Sequence, residues 1–256
     1  MTVSRPRVLI GSIFAPSDWN RSWYALQKRF LRLNCADADV DHRVFLNGVS
    51  DADVGEDLVV AGRSAENSGH SAALRALVDL FRASDHDYFL ILDSDCFPVH
   101  AHWLGVLTEQ MARFGKRFAA PVRTENLDRF PHPCAFLIAG PAVHDPRINF
   151  DVGHVAPNMI GEPVSDVGNA MLELMPDLLP LLRTNVRNRH PVAAAIYHHL
   201  FYHHGAGSRD FRFRLTHKYG YSAHWWDATR DEECARTLSQ ELFEDPERFV
   251  EGLMRA

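Results

Sequence analysis

The sequence predicts an α/β domain, a mostly parallel sheet flanked by helices and followed by a helical C-terminal tail. Three observations predict it. The N-terminal part alternates short apolar runs with segments that are apolar at helical spacing. The apolar runs are continuous, as in strands covered on both faces. The chain has 256 residues, 46% of them hydrophobic and 23% charged, with no repeat and no Gly-, Ser- or Pro-rich linker. That is enough chain for one compact unit with a sizeable core.

Each element has its own signal. Arg7–Phe14 (RVLIGSIF) is a branched apolar run that ends near Pro16, which suits a buried strand. Ser17 or Asp18 is placed to cap the next segment. Trp23–Leu33 is helical, with Trp23, Leu26, Phe30 and Leu33 on the buried side. Asp41–Leu46 is a second strand, stopped by Asn47-Gly48. The acidic stretch Ser50–Arg63 reads as a loop. Ser68 or Ser71 opens an amphipathic helix to about Ala83, with Leu74, Leu77, Val78 and Phe81 along one face. Tyr88–Leu92 is the most strand-like run, and it ends in Asp93-Ser94-Asp95.

The second half is less regular. Trp103–Phe114 reads as a helix, and Phe118–Val122 and Ala135–Ala139 as strands. Asp166–Met175 reads as a helix stopped by Pro176, and Asp177–Arg189 as a broken helix. Asp231–Arg255 is an acidic amphipathic helix or helix pair.

Composition narrows the functions. The formal net charge of −6 provides no global positive field for nucleic acid. Of 27 basic residues, 24 are Arg and 3 are Lys, and 15 residues are His. Cys35, Cys96, Cys134 and Cys234 form no C-x-x-C pair, which argues for free thiols over a zinc ribbon or disulfide framework. The N-terminus runs straight into the first strand with no apolar stretch of signal-peptide length, and no run is long enough to cross a bilayer. A cytoplasmic protein is the default expectation.

Asp93 and Asp95 carry the chemistry. Residues i and i+2 of an extended chain point the same way, so both carboxylates share one side. They repel unless a cation lies near them. Oxygen ligands with room for phosphate oxygens suit Mg²⁺ or Mn²⁺. In open α/β sheets, ligands bind outside the carboxyl ends of strands, which is where this pair stands. The bland alternative is a capped strand end with two solvated carboxylates.

A second constellation is Tyr197-His-His-Leu-Phe-Tyr-His203-His204-Gly205-Ala-Gly207-Ser-Arg209. Imidazole binds Mn²⁺ and other divalent metals, and an Arg forks onto phosphate. His198 and His199 read as packing or capping residues. The spacing lacks H-E-x-x-H and no Cys lies near, which disfavours zinc bound by this cluster alone.

Tyr88-Phe-Leu-Ile-Leu-Asp93-Ser94-Asp95 resembles the D-x-D segment of GT-A type (Rossmann-like) nucleotide-sugar glycosyltransferases, particularly glycosyltransferase family two and its relatives. Glu66-Asn67-Ser68-Gly69-His70 is similar to the family's N-x-G segment, and Val8–Ser12 to its first strand. The resemblance is strongest over residues 1–100. It implies a single GT-A domain over 1–256, with a donor-binding half (1–100), an acceptor and catalytic half (101–225) and a helical tail (226–256). It implies a nucleoside-diphosphate sugar donor held by Ser12, Asn67, Asp93, Ser94 and Arg209. It also implies a divalent metal, Mn²⁺ or Mg²⁺, on Asp93, Asp95 and a C-terminal His, with His204 ahead of His203. The acceptor class stays open among sugars, lipid-linked glycans, natural products and peptides.

An inverting transfer needs a carboxylate to take the acceptor's proton. The family supplies it at the start of a helix downstream, where Asp166 falls; Ser165 replaces the first residue of the family's Glu-Asp pair. Asp151 and Glu162 are rivals, and Asp166 also suits a helix N-cap. Pro131-His132-Pro133 and Trp225-Trp226-Asp227 are candidate acceptor-lining segments.

Three alternatives remain. A haloacid-dehalogenase-like phosphatase shares D-x-D after a strand but wants Thr or Ser where Phe97 stands. A nucleotide-sugar-forming nucleotidyltransferase wants a Gly-rich loop with a Lys after the first strand, and the first Lys here is Lys28. A non-catalytic nucleotide-sugar-binding module is the third.

Overall fold

A computed structural model describes residues 5–20, 22–50, 58–186, 193–205 and 228–256. Arg209 and the Trp225–Asp227 segment lie outside the described residues. The chain begins with β1 (Arg7–Phe14), the short α1 (Pro16–Asn20) and α2 (Trp23–Leu33). Next are β2 (Asp39–Asn47), β3 (Val60–Ser64), α3 (His70–Arg82), β4 (Tyr88–Asp93) and β5 (Cys96–Pro98). Then come α4 (Trp103–Phe114), β6 (Phe118–Pro121), β7 (Ala135–Ala139), β8 (Ala156–Pro157) and β9 (Pro163–Val164). A 3₁₀ segment, Asn169–Asp177, leads into β10 (Leu178–Leu181). The chain continues through β11 (Ala195–Tyr197) and β12 (Phe201–His203) to α5 (Ala228–Glu244) and α6 (Pro246–Met254).

The main sheet has seven strands in the order β10-β6-β7-β4-β1-β2-β3. The β1–β2, β1–β4, β2–β3 and β6–β10 pairs are parallel. β7 alone runs antiparallel to its neighbours β4 and β6. The mostly parallel sheet flanked by helices is therefore the architecture of this chain, as the sequence predicted.

Strand pleating splits the core. Leu9, Ile13, Phe89 and Ile91 face α3, where Leu74, Leu77 and Phe81 are fully buried. Val8, Ile10, Leu90 and Leu92 face the other way, toward Trp103, Leu104 and Leu107 of α4. This is the period-2 division expected of a sheet covered on both faces. A 13-residue helix such as α3 is marginal alone in water. Burying its three large side chains, at about 1.5–3 kcal/mol each, is what secures it. Gly11 fits this contact: a Cβ there would lie 3.0 Å from both Leu77 and Phe81.

Four expectations are corrected. On α2, Leu33 is 55% exposed while Gln27 is fully buried, because that helix face meets the backbone of β4 and β5 as well as apolar side chains. Val60–Ser64 is an edge strand, its weak Gly-containing pattern supplemented by pairing with β2. Asp166–Met175 is no α-helix; the chain turns at Asp166 and continues as 3₁₀. Leu178–Leu181 is a strand. Pro180 bars a helix there, and its exposed place on the sheet's outermost strand tolerates the missing N–H.

A smaller sheet, β11-β12-β5, positions the site. Its hairpin turns at His198 and His199, both with positive φ (55° and 58°), as the two-residue type I′ turn requires. His198 Nε2 lies 2.9 Å from Gln110 Oε1. These two histidines serve the turn and its packing.

Candidate metal centre and donor site

The site forms where β4 ends. β4 delivers Asp93, the chain turns at Ser94-Asp95, and β5 leads back into the small sheet. There Cys96 pairs with His203 across the β5–β12 ladder, and His204 N–H donates to Asp95 O at 3.0 Å. This register sets His203 Nε2 3.5 Å from Asp95 Oδ1 and 3.9 Å from Asp93 Oδ2. Ligand atoms of Asp93, Asp95 and His203 all lie within 4.8 Å of one another, the group able to hold a metal among the described residues. Two carboxylates and one imidazole fit a divalent cation such as Mn²⁺ or Mg²⁺.

His204, the histidine first expected to complete this group, faces elsewhere. Its Nδ1 lies 2.6 Å from Tyr202 Oη and its Nε2 2.8 Å from Ser239 Oγ. Its ring packs against Trp23, 5.0 Å away. Adjacent strand residues point to opposite faces, so with His203 turned toward the carboxylates His204 must enter the core.

His203 sits between Tyr197 and His132, with ring centres 6.3 and 5.7 Å away. Burial opposes its charge, but the Cys134 side chain as thiolate and the Asp95 and Asp93 carboxylates outweigh it and raise its pKa. Burial likewise opposes the charge of Asp93. His70, with Nε2 3.1 Å from Asp93 Oδ1, and then His203 and Arg123 hold its pKa below the usual carboxylate value. His70 belongs to the N-x-G segment and has no motif signal of its own. Its position at the start of α3, facing the end of β4, is the one pointer to this contact.

The other expected donor residues have structural partners. Ser12 is buried inside β1 with Oγ 3.1 Å from His42 Nε2. Asn67 Oδ1 accepts from Gly69 N–H and from Asn47 Nδ2, each at 3.0 Å, so Asn67 braces its own loop. Asn47, at the end of β2, is the hub: its Oδ1 accepts from Ser64 Oγ, Ser68 N–H and Ser68 Oγ. Ser94 hydrogen-bonds Asp18, whose Oδ2 also accepts from Ala15 N–H at 3.0 Å. Burial pushes the Asp18 carboxyl up to about 7, and Asp95 and Asp93 add to the effect. Asp18, legible in the sequence only as a cap, thus brings a third carboxylate close to the pair.

Beside the metal group lies a buried cluster around Arg123. Its Nη2 is 2.7 Å from Asp128 Oδ2 and 2.9 Å from Asp166 Oδ2. Asp166 Oδ1 accepts from Val167 N–H at 2.8 Å. The local chain path depends on Gly168, where a Cβ would fall 2.0 Å from Pro131 O. Burial raises the Asp128 carboxyl to about 6; Arg123 opposes this, and Asp166 adds to it. Tyr197 donates to Glu125 Oε1 at 2.6 Å. Of the rivals to Asp166, Asp151 is half exposed and paired with Arg75, and Glu162 is half-buried in the β8–β9 hairpin.

Fold and site define a class: α/β proteins that present a carboxylate pair and a histidine at the carboxyl end of a parallel sheet. No protein-family model matches the chain, and no curated protein matches it. Solved structures do. The mannosyltransferase PcManGT from Pyrobaculum calidifontis, in complex with GDP-Man and Mn²⁺, is similar with 13% identity and a TM-score of 0.39, over 54% of this chain and 45% of that one. A Desulfovibrio desulfuricans G20 protein, provisionally assigned as a nucleotide-diphospho-sugar transferase, is similar with 11% identity and a TM-score of 0.42, over 68% and 79%. S. aureus TarS is similar with 11% identity and a TM-score of 0.37, over 57% and 30%. The chain therefore spans less than half the length of the mannosyltransferase and of TarS. Among the described residues, no helix is long and apolar enough to cross a membrane.

Proposed function

We propose that this protein is a metal-dependent GT-A type glycosyltransferase that moves a sugar from a nucleoside-diphosphate donor to an acceptor hydroxyl, with inversion. The observation that carries the reading is the convergence of Asp93, Asp95 and His203 at the carboxyl end of β4. These three residues hold the divalent cation. When bound, the cation neutralises charge on the departing diphosphate.

The remaining roles belong to the chain's own groups. Asp93 and Asp95 face the diphosphate through the metal site, and His70, 3.1 Å from Asp93, is a candidate contact for its free oxygens; Arg209 is a second candidate from the sequence and lies outside the described residues. The donor's nucleoside lies over the ends of β1 and β2, beside Asp18 and the hydrogen-bonded Asn47 and Asn67 side chains. Asp166 takes the acceptor proton as the hydroxyl attacks the anomeric carbon. Arg123 and the Val167 N–H hold that carboxylate in one orientation, and each of its oxygens retains a lone pair for the acceptor.

The phosphatase alternative is weaker. It needs a hydroxyl at position 97, where Phe97 is buried and stacks on Phe30 with ring centres 4.2 Å apart.

The test is a thermal-shift panel of nucleotide sugars, free nucleotides and free sugars, with and without Mn²⁺. The expected result is a Mn²⁺-dependent rise in Tm with one nucleotide sugar and its nucleotide, and none with the free sugar. No Mn²⁺-dependent shift with any nucleotide sugar would count against the reading.

A further inference from the structure

We propose that Gln27 is a positioning residue that sets the geometry of the metal-binding carboxylates. The inference rests on the reading that Asp93, Asp95 and His203 bind a divalent cation. Gln27 is a fully buried polar side chain on α2, among Trp23, Leu26 and Phe30. Its Nε2 donates to Asp93 O at 2.8 Å and to Cys96 O at 2.7 Å. Those two carbonyls bracket the Ser94–Asp95 turn. Both neighbours are acceptors, so the NH₂ end of the amide must face them. Both of its N–H groups are thereby used, one on each side of the turn.

Within the turn Ser94 hydrogen-bonds Asp18, and backbone bonds hold its two ends. Asp93 N–H donates to Cys134 O and His204 N–H to Asp95 O, each at 3.0 Å. Gln27 bonds both flanks of the turn and so ties β4 to β5 across the gap between the two ligands. One turn-spanning clamp fixes the backbone from which both carboxylates project, and so their separation before any ion arrives. The cost is visible in the same residue: Gln27 Oε1 is buried without a hydrogen-bond partner among the described residues. The same helix offers an internal control. Asn34, at its C-terminal end, donates from Nδ2 to Pro98 O at 3.0 Å. It anchors β5 beyond the ligands.

The test measures Mn²⁺ affinity directly, by electron paramagnetic resonance of the free ion. Wild type is compared with Gln27→Met, which keeps the length and loses both donors, and with Gln27→Asn, which keeps the amide on a shorter arm. Asn34→Ala is the control. Measurements are made well below each variant's Tm. Losing a hydrogen bond that orients metal ligands typically weakens metal binding by roughly 10–100-fold. Kd should therefore rise at least about tenfold in Gln27→Met and less in Gln27→Asn. Asn34→Ala should stay within about twofold of wild type, since its bond lies beyond the ligands. A folded Gln27 variant that binds Mn²⁺ as wild type does overturns the proposal. So does an Asn34→Ala Kd that rises as much, because any loosening of α2 would then suffice. Failure of the metal reading is separate: wild-type Mn²⁺ binding unmoved by Asp95→Asn removes the centre itself, and this role with it.

Discussion

His203 Nε2 stands 3.5 Å from Asp95 Oδ1, two residues drawn together by the β5–β12 ladder. The adjacent His204 is fully buried and uses both ring nitrogens on Tyr202 and Ser239. The two histidines should therefore fail in different ways. His203→Ala should weaken Mn²⁺ binding by roughly 100-fold or more, because losing a ligand costs at least as much as losing a group that orients one. His204→Ala should leave metal affinity nearly unchanged and lower stability by roughly 2–4 kcal/mol, through two lost hydrogen bonds and a cavity. Metal titration and urea unfolding of both variants check this. The opposite pattern would return the ligand role to His204.

Asp166 is bound to Arg123 at 2.9 Å and to the Val167 N–H. On its proposed role as general base, Asp166→Asn should lower kcat by roughly 10²–10⁴-fold. The affinities for Mn²⁺ and donor should stay near wild type. Steady-state kinetics beside calorimetric donor titration separate the two effects. Full turnover in Asp166→Asn would hand the proton to another carboxylate.

Arg123 is the shared cation of Asp128 and Asp166, and all three side chains are buried. Removing it in Arg123→Met leaves two buried carboxylates without their partner. The expected loss is about 3–5 kcal/mol of stability at neutral pH. A chemical denaturation midpoint equal to that of wild type would contradict the cluster.

Gly168, two residues after Asp166, lets the chain pass close to the Pro131 carbonyl. A Cβ 2.0 Å from Pro131 O cannot be accommodated by rotating a side chain, because the obstacle is backbone. Gly168→Ala should cost roughly 2–4 kcal/mol and reduce transfer as Asp166 is displaced. Unfolding and activity measured on the same sample test both parts.

Burial, with Lys28 beside it, lowers the pKa of His42 from 6.5 to about 4. The folded state thus disfavours its protonation, while the unfolded chain protonates it at the ordinary value. Its contribution is complete above about 6.5 and is lost as pH falls through 4. After allowance for the ring's partial exposure, about 2 kcal/mol is at stake. Stability measured from pH 7 to pH 4 should fall less steeply in His42→Gln than in wild type. Parallel profiles would place the pH dependence elsewhere.

Local pattern made much of this protein legible. β1, α2, α4 and β7 keep the bounds read from apolar spacing alone. Asp93 and Asp95 were identifiable as two carboxylates directly after a buried run, but the extended geometry expected for them is replaced by a turn at Ser94-Asp95, and it is this turn, with β5, that brings them together. Where local signals competed, reading failed. The Leu-rich β10 looked helical despite Pro180, and β3 was too short and polar to stand out.

By itself, then, the sequence determined the α/β alternation, the buried face of α3 and the place of the two carboxylates after β4, because strand and helix periodicities are set locally. Tertiary structure decided which histidine joins the pair, what Asp166 touches and why a glutamine is buried in α2. The reason is register. A one-residue slip along a strand exchanges its faces, so His203 and His204 are equivalent in spacing until β5 pairs with β12. Gln27 is likewise a misplaced polar residue until the carbonyls of Asp93 and Cys96 stand above it.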